Sequence, residues 1–187
     1  MSDPTGWDVA RHWMSRLDEL LISMAPIALK ILSLDTDVPS CFACAKAARH
    51  KHKGTPKKVW DSAALERAHV IARSTGGAMV VDNLVMLCRD CHDEAPMTNN
   101  ASVMLRWIAM REDHVVREMR EVRAACIAME PEFLSMVEGV DASKIATLLP
   151  QVLDEMSAGF HFGKGLTTGT KAAAAIEIVR RLTRVSL

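Results

Sequence analysis

The chain has 187 residues, no net charge and 49% hydrophobic residues, which favours one domain or a small domain with extensions. Because the charge is balanced, any affinity for nucleic acid has to come from a local basic patch. Aromatic residues make up 4% of the chain and tyrosine does not occur, which argues against a platform that stacks single-stranded bases.

The N-terminal segment, residues 1–40, is predicted to be helical. Apolar residues recur at helical spacing over residues 7–33, and Asp3 or Thr5 could cap the start. Pro26 is expected to kink this segment or to split it in two. Met1–Gly6 is polar and is not followed by the cationic region and cleavage site of a secretory signal, and charged residues interrupt every apolar run before membrane-spanning length. We therefore expect a soluble, cytoplasmic protein that is not secreted.

Four of the five cysteines form two CxxC pairs, Cys41 with Cys44 and Cys88 with Cys91. A structural zinc ion takes four ligands in a tetrahedron, and a CxxC turn brings two sulfurs to one ion. The two pairs therefore predict a structural Zn²⁺ site with no open position for water. The alternatives are coincidentally buried thiols or a redox pair, which would be expected near a βαβ pattern. Cys126 lies in a helical run and is expected to be buried.

A basic run without acids, residues 45–58, follows the first cysteine pair. Gly54 and Pro56 are expected to break regular structure there. Such a run is often only a solvated surface. Beside a metal site, contact with DNA phosphates is the better interpretation. The candidate DNA-binding residues are Arg49, Lys51, Lys53, Lys57, Lys58 and, further along the chain, Arg73.

Two short strands are predicted after the basic run, over residues 64–71 and 84–87, with a turn at Gly76-Gly77 between them. The rest of the chain is predicted to be helical. The expected helices run from Asn99 or Asn100 to about Arg111, over 114–129, from Asp141 or Ser143 with an interruption at Pro150, and over 171–185.

Residues 159–170 are a predicted loop, in which Thr167, Thr168 or Thr170 caps the last helix. His161 lies in this loop beside glycines, but the Walker spacing is missing, which argues against nucleotide binding. The chain is therefore predicted to be α+β and mostly helical, with a small ββα metal centre inside a helical scaffold.

These residues resemble the HNH nuclease family, which has the ββα-metal fold. The resemblance covers about residues 41–97 and includes both cysteine pairs and the glycine turn. The three letters of the family name fall on His69, Asn83 and His92. The expected organisation is an N-terminal helical segment 1–40, an HNH and zinc core 41–97, and a C-terminal helical region 98–187.

The resemblance implies a second metal, Mg²⁺ or another divalent ion, distinct from the zinc. His69 would be the general base, because histidine can accept a proton near neutral pH. His92 would bind the catalytic ion. Asn83 would hold the loop between the strands and keep His69 oriented.

The sequence departs from the family pattern directly before His69. The family usually has an acid or a second histidine there as a metal ligand, whereas this chain has Ala68. Glu66 lies two residues earlier on the same face of the strand and could supply a carboxylate to the metal. It could equally be an exposed or paired strand residue. Ala72 replaces a proline often found beyond the histidine.

The predicted function is a metal-dependent HNH-type DNA endonuclease that hydrolyses phosphodiester bonds. The alternative is a catalytically inactive zinc module that binds DNA or protein. His69, Asn83 and His92 together favour the enzyme, because a zinc scaffold would need only the cysteines, whereas Ala68 favours the binding module. The expected partner is DNA and not a membrane. Cutting of both strands would suggest a homodimer, which the helical flanks could supply.

Overall fold

The structure is a computed structural model that describes residues 3–16, 37–157 and 166–184. Within these residues the chain is mostly helical, with one two-stranded antiparallel sheet, so the predicted α+β class with a small ββα core is confirmed. The chain divides into two compact units, Met1–His114 and Val115–Leu187. The elements of the described residues are α1 Gly6–Met14, α2 Pro56–Asp61, β1 Glu66–His69, β2 Leu84–Leu87, α3 Arg89–Glu94, α4 Ala101–Met110, α5 His114–Met129, α6 Phe133–Val137, α7 Ala142–Ser157 and α8 Thr168–Arg184.

The sheet of the first unit consists of β1 and β2 in antiparallel register, with Glu66 opposite Leu87 and His69 opposite Leu84. All four residues of β2 are buried, and α3 packs against both strands. The second strand begins and ends as predicted, whereas β1 is shorter than the predicted 64–71. It ends at His69 because the chain then turns into the loop that leads to β2.

Helix α1 begins with a capping box, in which Thr5 accepts a hydrogen bond from the Asp8 amide and donates its own amide to the Asp8 carboxylate. Thr5, and not Asp3, is therefore the cap. The indole of Trp13 donates to the Leu84 carbonyl over 2.6 Å, which fixes α1 at the start of β2. The helix ends at Met14, and the rest of the predicted segment from residue 17 onward, with Pro26, lies outside the described residues.

Helix α2 corrects the prediction that Pro56 breaks regular structure. Pro56 is the first residue of this helix, where its missing N–H would have had no helical partner. Trp60 of α2 is buried and meets Phe42 edge to face, with ring centroids 6.3 Å apart. The basic run is therefore tied to the first cysteine pair by a small aromatic contact.

Helix α4 begins and ends as predicted. The Asn100 side chain accepts a hydrogen bond from the Ser102 amide over 3.0 Å and so caps the helix. Met104 and Ile108 are fully buried and join the core of the first unit. Helix α5 spans the predicted residues 114–129.

The second unit contains α5 from Val115 onward and helices α6 to α8. Its α7 was predicted wrongly. The helix continues through Pro150 instead of being interrupted there. Burial of Val152 against Ala174 and Ile178 of α8 offsets the loss of one backbone hydrogen bond at the proline.

The short α6 was not predicted, whereas α8 begins at Thr168, with Thr167 accepting a hydrogen bond from the Thr170 amide. Cys126 is buried, as expected. His161 lies outside the described residues. Among the residues that the structure describes, no helix is both long enough and apolar enough to cross a membrane.

Candidate functional site

The four paired cysteines converge on one point in the core of the first unit. Cys41, Cys44, Cys88 and Cys91 are buried and free of disulfides, and their Sγ atoms lie within 4.8 Å of one another. The Sγ atoms of Cys44 and Cys88 are 3.8 Å apart. This is the only group of three or more metal-ligating side chains found within residues 3–16, 37–157 and 166–184. It provides the donor set of a tetrahedral zinc site.

The first cysteine pair lies on a tight turn. The Ala45 amide donates to the Cys41 carbonyl over 2.8 Å, and the Cys41 amide donates to the Lys46 carbonyl over 3.0 Å. Ala45 has a positive φ of 56°, which reverses the chain so that both sulfurs point the same way. The Phe42 amide donates to the Met86 carbonyl, and this bond attaches the turn to β2.

The second pair lies at the start of α3, with Cys88 as its N-cap residue and Cys91 inside the helix. The His92 amide donates to the Cys88 carbonyl over 2.8 Å, which closes the first helical turn. The sequence predicted His92 at the start of this helix, but α3 begins earlier, at Arg89. One helical turn thus supplies two sulfurs and one imidazole.

The electrostatics of the cluster fit a cation. The Cys41 and Cys91 thiols donate hydrogen bonds to Cys44 and lower the pKa of that thiol far below its ordinary value. The pKa of Cys41 is raised, because its thiol donates to Cys44 and Cys91. A divalent ion would stabilise the thiolate form of these cysteines, as zinc does in four-cysteine sites.

His69 ends β1 with a partly exposed ring whose Nε2 is buried and has no hydrogen-bond partner. The pKa of His69 is lowered, first by burial and then by the positive charges of Arg73 and Arg67. A histidine in this environment is neutral at pH 7, because its ordinary value of 6.5 is already below that pH. It can therefore accept a proton.

Asn83 is 9% exposed, and its amide group clamps the loop between the two strands. Its Oδ1 accepts a hydrogen bond from the Ile71 amide over 2.7 Å. Its Nδ2 donates to the Ile71 carbonyl over 3.0 Å and to the Ala78 carbonyl over 2.9 Å. The Val70 amide donates to the backbone carbonyl of Asn83. The residues that follow His69 are therefore held by four bonds to one residue.

Gly77 makes room for this clamp. A Cβ atom at this position would lie 1.8 Å from the Ile71 carbonyl oxygen and 2.8 Å from Asn83 Nδ2. The preceding Gly76 has a φ of 95°, a conformation that side chains rarely adopt. The Gly76-Gly77 pair is therefore required both for the turn and for the close approach of the backbone to Asn83.

His92 lies on α3 and faces the first residue of β1. Its Nδ1 is 3.3 Å from the Oε2 atom of Glu66, and the side chains of both residues are 38% exposed. The other oxygen of Glu66, Oε1, is 3.4 Å from a guanidinium nitrogen of Arg89. From the sequence, Glu66 could be a metal ligand or an exposed or paired strand residue. The structure shows its carboxylate paired with two residues of α3.

Residues 41–95 match the family model described as HNH endonuclease. We refer to residues 41–95 as the HNH domain, after the family model that they match. The match covers less than a third of the 187 residues, and it contains both cysteine pairs, His69, Asn83 and His92. No curated protein and no solved structure matches the chain.

The HNH domain has no ligand at the position before His69. Ala68 is 4% exposed, packs in the core and lies opposite Val85 in the sheet. A methyl group offers no lone pair, so this position cannot bind a metal ion. Any protein ligand of a catalytic ion in the HNH domain has to come from other residues, of which His92 and Glu66 are the pair in contact.

The predicted DNA-binding residues of the HNH domain are exposed, but they are placed in two groups. Arg73 follows β1 and is near enough to His69 to influence its pKa. The basic run is attached to the other end of β1, because the Ala64 amide donates to the Arg49 carbonyl. The chain from Ala64 to His69 spans at most about 17 Å. The exposed residues of the run are Arg49, Lys51, Lys53, Lys57 and Lys58.

Arg111 is a residue that the sequence did not point to. It lies beyond the HNH domain, directly after α4, yet its guanidinium donates a hydrogen bond to the Cys91 sulfur. It also pairs with Glu94 and lies over the Trp107 ring, 5.4 Å from the centroid. A cation at this point counteracts the negative charge that four thiolates would leave around a zinc ion. Nothing in the CxxC spacing signals it.

Proposed function

We propose that the HNH domain makes this protein a metal-dependent DNA endonuclease that hydrolyses phosphodiester bonds with His69 as the general base. The observation that carries the proposal is the state of His69. Its imidazole is held neutral by burial and by neighbouring positive charge, at the end of a strand whose next residues are clamped by Asn83. A scaffold that only binds zinc has no need for such a residue.

The proposed chemistry assigns separate roles to the two halves of the HNH domain. The cysteines Cys41, Cys44, Cys88 and Cys91 would hold a structural Zn²⁺, which keeps the first turn and α3 together. On the other half, His69 would take a proton from the attacking water. Asn83 would keep the backbone after His69 in place, so that the base stays aimed at the water.

The second metal would be held beside His92. Imidazole is a donor that divalent ions such as Mn²⁺ and Ni²⁺ accept, and the Glu66 carboxylate contacts the His92 ring. A bound divalent ion supplies charge that stabilises the leaving 3′ oxygen. Arg73, beside His69, would contact a phosphate next to the cleaved bond. The basic run, with Arg49, Lys51, Lys53, Lys57 and Lys58, would contact phosphates further along the duplex.

The second candidate function is a zinc module that binds DNA or protein without cutting. The observation that favours it is Ala68, whose buried methyl group stands where the family usually supplies a metal ligand. A homodimer formed through the helical flanks, which would allow both strands to be cut, stays a prediction. Light scattering with and without DNA would test it.

Plasmid cleavage tests the proposal directly. Purified, zinc-loaded protein is incubated with supercoiled plasmid and Mg²⁺, Mn²⁺ or Ni²⁺, with and without EDTA. We expect metal-dependent cutting, and a loss of about 10²–10⁴-fold in rate for His69→Ala, as is usual when a general base is removed. The control is Arg106→Ala, an exposed residue of α4 outside the basic run, which should cut like the wild type.

The outcomes separate the two candidates. If His69→Ala cuts as fast as the wild type, His69 is not the base and the mechanism is wrong. If the wild type binds duplex DNA but does not cut it with any of the three ions, the zinc module without catalysis is the correct description.

A further inference from the structure

We infer that Glu66 is a positioning residue that orients His92 and fixes its tautomer, and that it does not itself bind the catalytic ion. The inference rests on the proposed function in one respect, namely that His92 is the residue that holds the ion. It replaces the alternative in which the Glu66 carboxylate takes the place of the ligand missing at Ala68.

The first observation is that Glu66 contacts one particular nitrogen of the His92 ring. Its Oε2 lies 3.3 Å from Nδ1, whereas the other nearby acid, Asp93, is 4.0 Å from the same atom. A neutral imidazole carries one proton, and a carboxylate beside Nδ1 favours the tautomer in which Nδ1 has it. The lone pair is then on Nε2, which is the nitrogen left to bind a metal.

The second observation is that neither carboxylate oxygen of Glu66 is free. Oε2 faces His92, and Oε1 is 3.4 Å from an Arg89 guanidinium nitrogen. Arg89 in turn pairs with Asp93, with its Nε 3.0 Å from Oδ2. A carboxylate held between two residues of α3 would have to break one of these contacts to bind an ion, whereas the positioning role uses both as they are.

The third observation is where Glu66 and His92 sit in the fold. Glu66 is fixed on β1 by its register with Leu87, and His92 is fixed on α3 by the bond from its amide to the Cys88 carbonyl. The contact therefore joins two rigid elements and restrains the ring by its far side. A metal-binding histidine commonly donates its other N–H to a carboxylate in this way, which orients the ring and raises its basicity.

This restraint matters more here than in an HNH domain with a full ligand set. Ala68 contributes no ligand, so a larger share of the affinity for the ion falls on His92. The remaining coordination positions would be filled by water and by phosphate oxygens of the DNA, as is usual for Mg²⁺. A loosely held imidazole would then lose most of the affinity that the protein itself supplies.

The tautomer of His92 gives a test that needs neither metal nor DNA. In zinc-loaded protein with ¹⁵N-labelled histidine, at a pH where the ring is neutral, the nitrogen shifts show which atom carries the proton. We expect Nδ1–H in the wild type and a mixture of tautomers in Glu66→Ala. His92→Gln assigns the signal among the seven histidines. An Nε2–H tautomer in the wild type would overturn the inference.

A double-mutant cycle then separates positioning from ligation. Ni²⁺ binding to zinc-loaded protein is measured by calorimetry, with Glu66→Ala, His92→Ala and the double variant. We expect Glu66→Ala to weaken binding by about 10–100-fold and Glu66→Gln, which keeps a hydrogen-bond acceptor, to weaken it less. In the His92→Ala background, Glu66→Ala should change nothing further, because a positioning residue acts only through the residue that it holds.

The control is Asp90→Asn, an exposed acid on α3 that pairs with Lys46, and it should bind Ni²⁺ like the wild type. Two outcomes would overturn the inference: an equal loss from Glu66→Ala in both backgrounds, which identifies a ligand, or no Ni²⁺ binding by the wild type beyond that of His92→Ala. Ni²⁺ binding with the expected cycle but no DNA cleavage would reject the nuclease and leave the role of Glu66 intact.

Discussion

The cysteine cluster and the two histidines His69 and His92 lie in the same ββα unit, but they differ in how far their side chains are buried. The four sulfurs are buried, within 4.8 Å of one another, with Arg111 beside them. His69 and His92 have partly exposed rings, and Nε2 of His69 has no partner. The first arrangement is complete without substrate, because every donor faces the others. The second presents two partly exposed rings, as a site that binds and turns over a substrate requires.

The largest expected effect comes from removing one ligand of the four-cysteine cluster. Replacing Cys88 by Ser should release the zinc and unfold the HNH domain locally, because zinc binding in comparable small modules contributes roughly 10–16 kcal/mol. Metal analysis and a melting curve measure this. The control variant Cys126→Ser, altered at a buried cysteine of the second unit, should keep the zinc of the four-cysteine cluster. Full zinc occupancy in Cys88→Ser would show that the four cysteines do not share one ion.

The clamp around Asn83 is the next largest test, because it should separate the two sites. Asn83→Ala leaves the Ile71 amide without its 2.7 Å partner and frees the loop after His69. An unpaired buried polar group costs roughly 1–3 kcal/mol, so we expect a lower melting temperature with full zinc content. The cleavage rate should fall by much more than the loss of folded protein can explain. Asn100→Ala, which removes the α4 cap, costs about 1 kcal/mol and should keep activity. Equal cleavage by the two variants would contradict the role of Asn83.

The pH dependence of cleavage tests the protonation state of His69. Burial and the Arg73 charge lower the pKa of His69, so the neutral form persists below the ordinary value of 6.5. Because the neutral form is the base, kcat/KM should fall tenfold per pH unit only below this depressed pKa. The acidic limb should therefore lie below pH 6.5. Arg73→Ala removes a positive charge and should move the limb upward, whereas Arg106→Ala should not. A limb above pH 6.5 in the wild type would show that His69 is not the titrating group.

The smallest expected effects concern the basic run at the other end of β1. Each phosphate contact that is lost should flatten the log–log salt dependence of duplex binding by about 0.9. Lys51, Lys53 and Lys58 are exposed, whereas Lys57 is paired with Asp61 over 2.6 Å and should contribute less. Filter binding at several salt concentrations measures the slope. Lys144→Ala, in the second unit, is the control. An unchanged slope in the triple alanine variant would identify the run as a solvated surface.

The elements that could be predicted from the sequence share a local cause. The CxxC spacings identified the cysteine cluster, and Gly76-Gly77 identified the turn before β2. The start of α4 follows from the Asn100 cap, and α5 ends shortly before Pro131, which cannot continue a helix. Within each turn, cap and cysteine pair the deciding interactions join residues a few positions apart, whereas the meeting of the two cysteine pairs is long-range and was predicted from zinc chemistry. Local chemistry therefore sufficed, and the HNH pattern is made of such local features.

Where local signals have two meanings, the sequence misled. A proline can end a helix or begin one, and Pro56 begins α2 while Pro150 lies inside α7. The choice at Pro150 depends on the burial of Val152 against Ala174 and Ile178 of another helix. Propensity assigns a cost to the proline, but only tertiary packing supplies the compensating contacts.

The sequence by itself determined which residues the HNH domain offers for chemistry: four cysteines for one ion, and His69, Asn83 and His92 in the order of the family. Only the tertiary structure decided the state of those residues. Burial and the charges around it make His69 neutral, Glu66 meets His92 across β1 and α3, and Arg111 reaches Cys91 from outside the matched segment. Solvation and Coulomb interactions depend on distance in space, which sequence spacing does not record for residues on different elements.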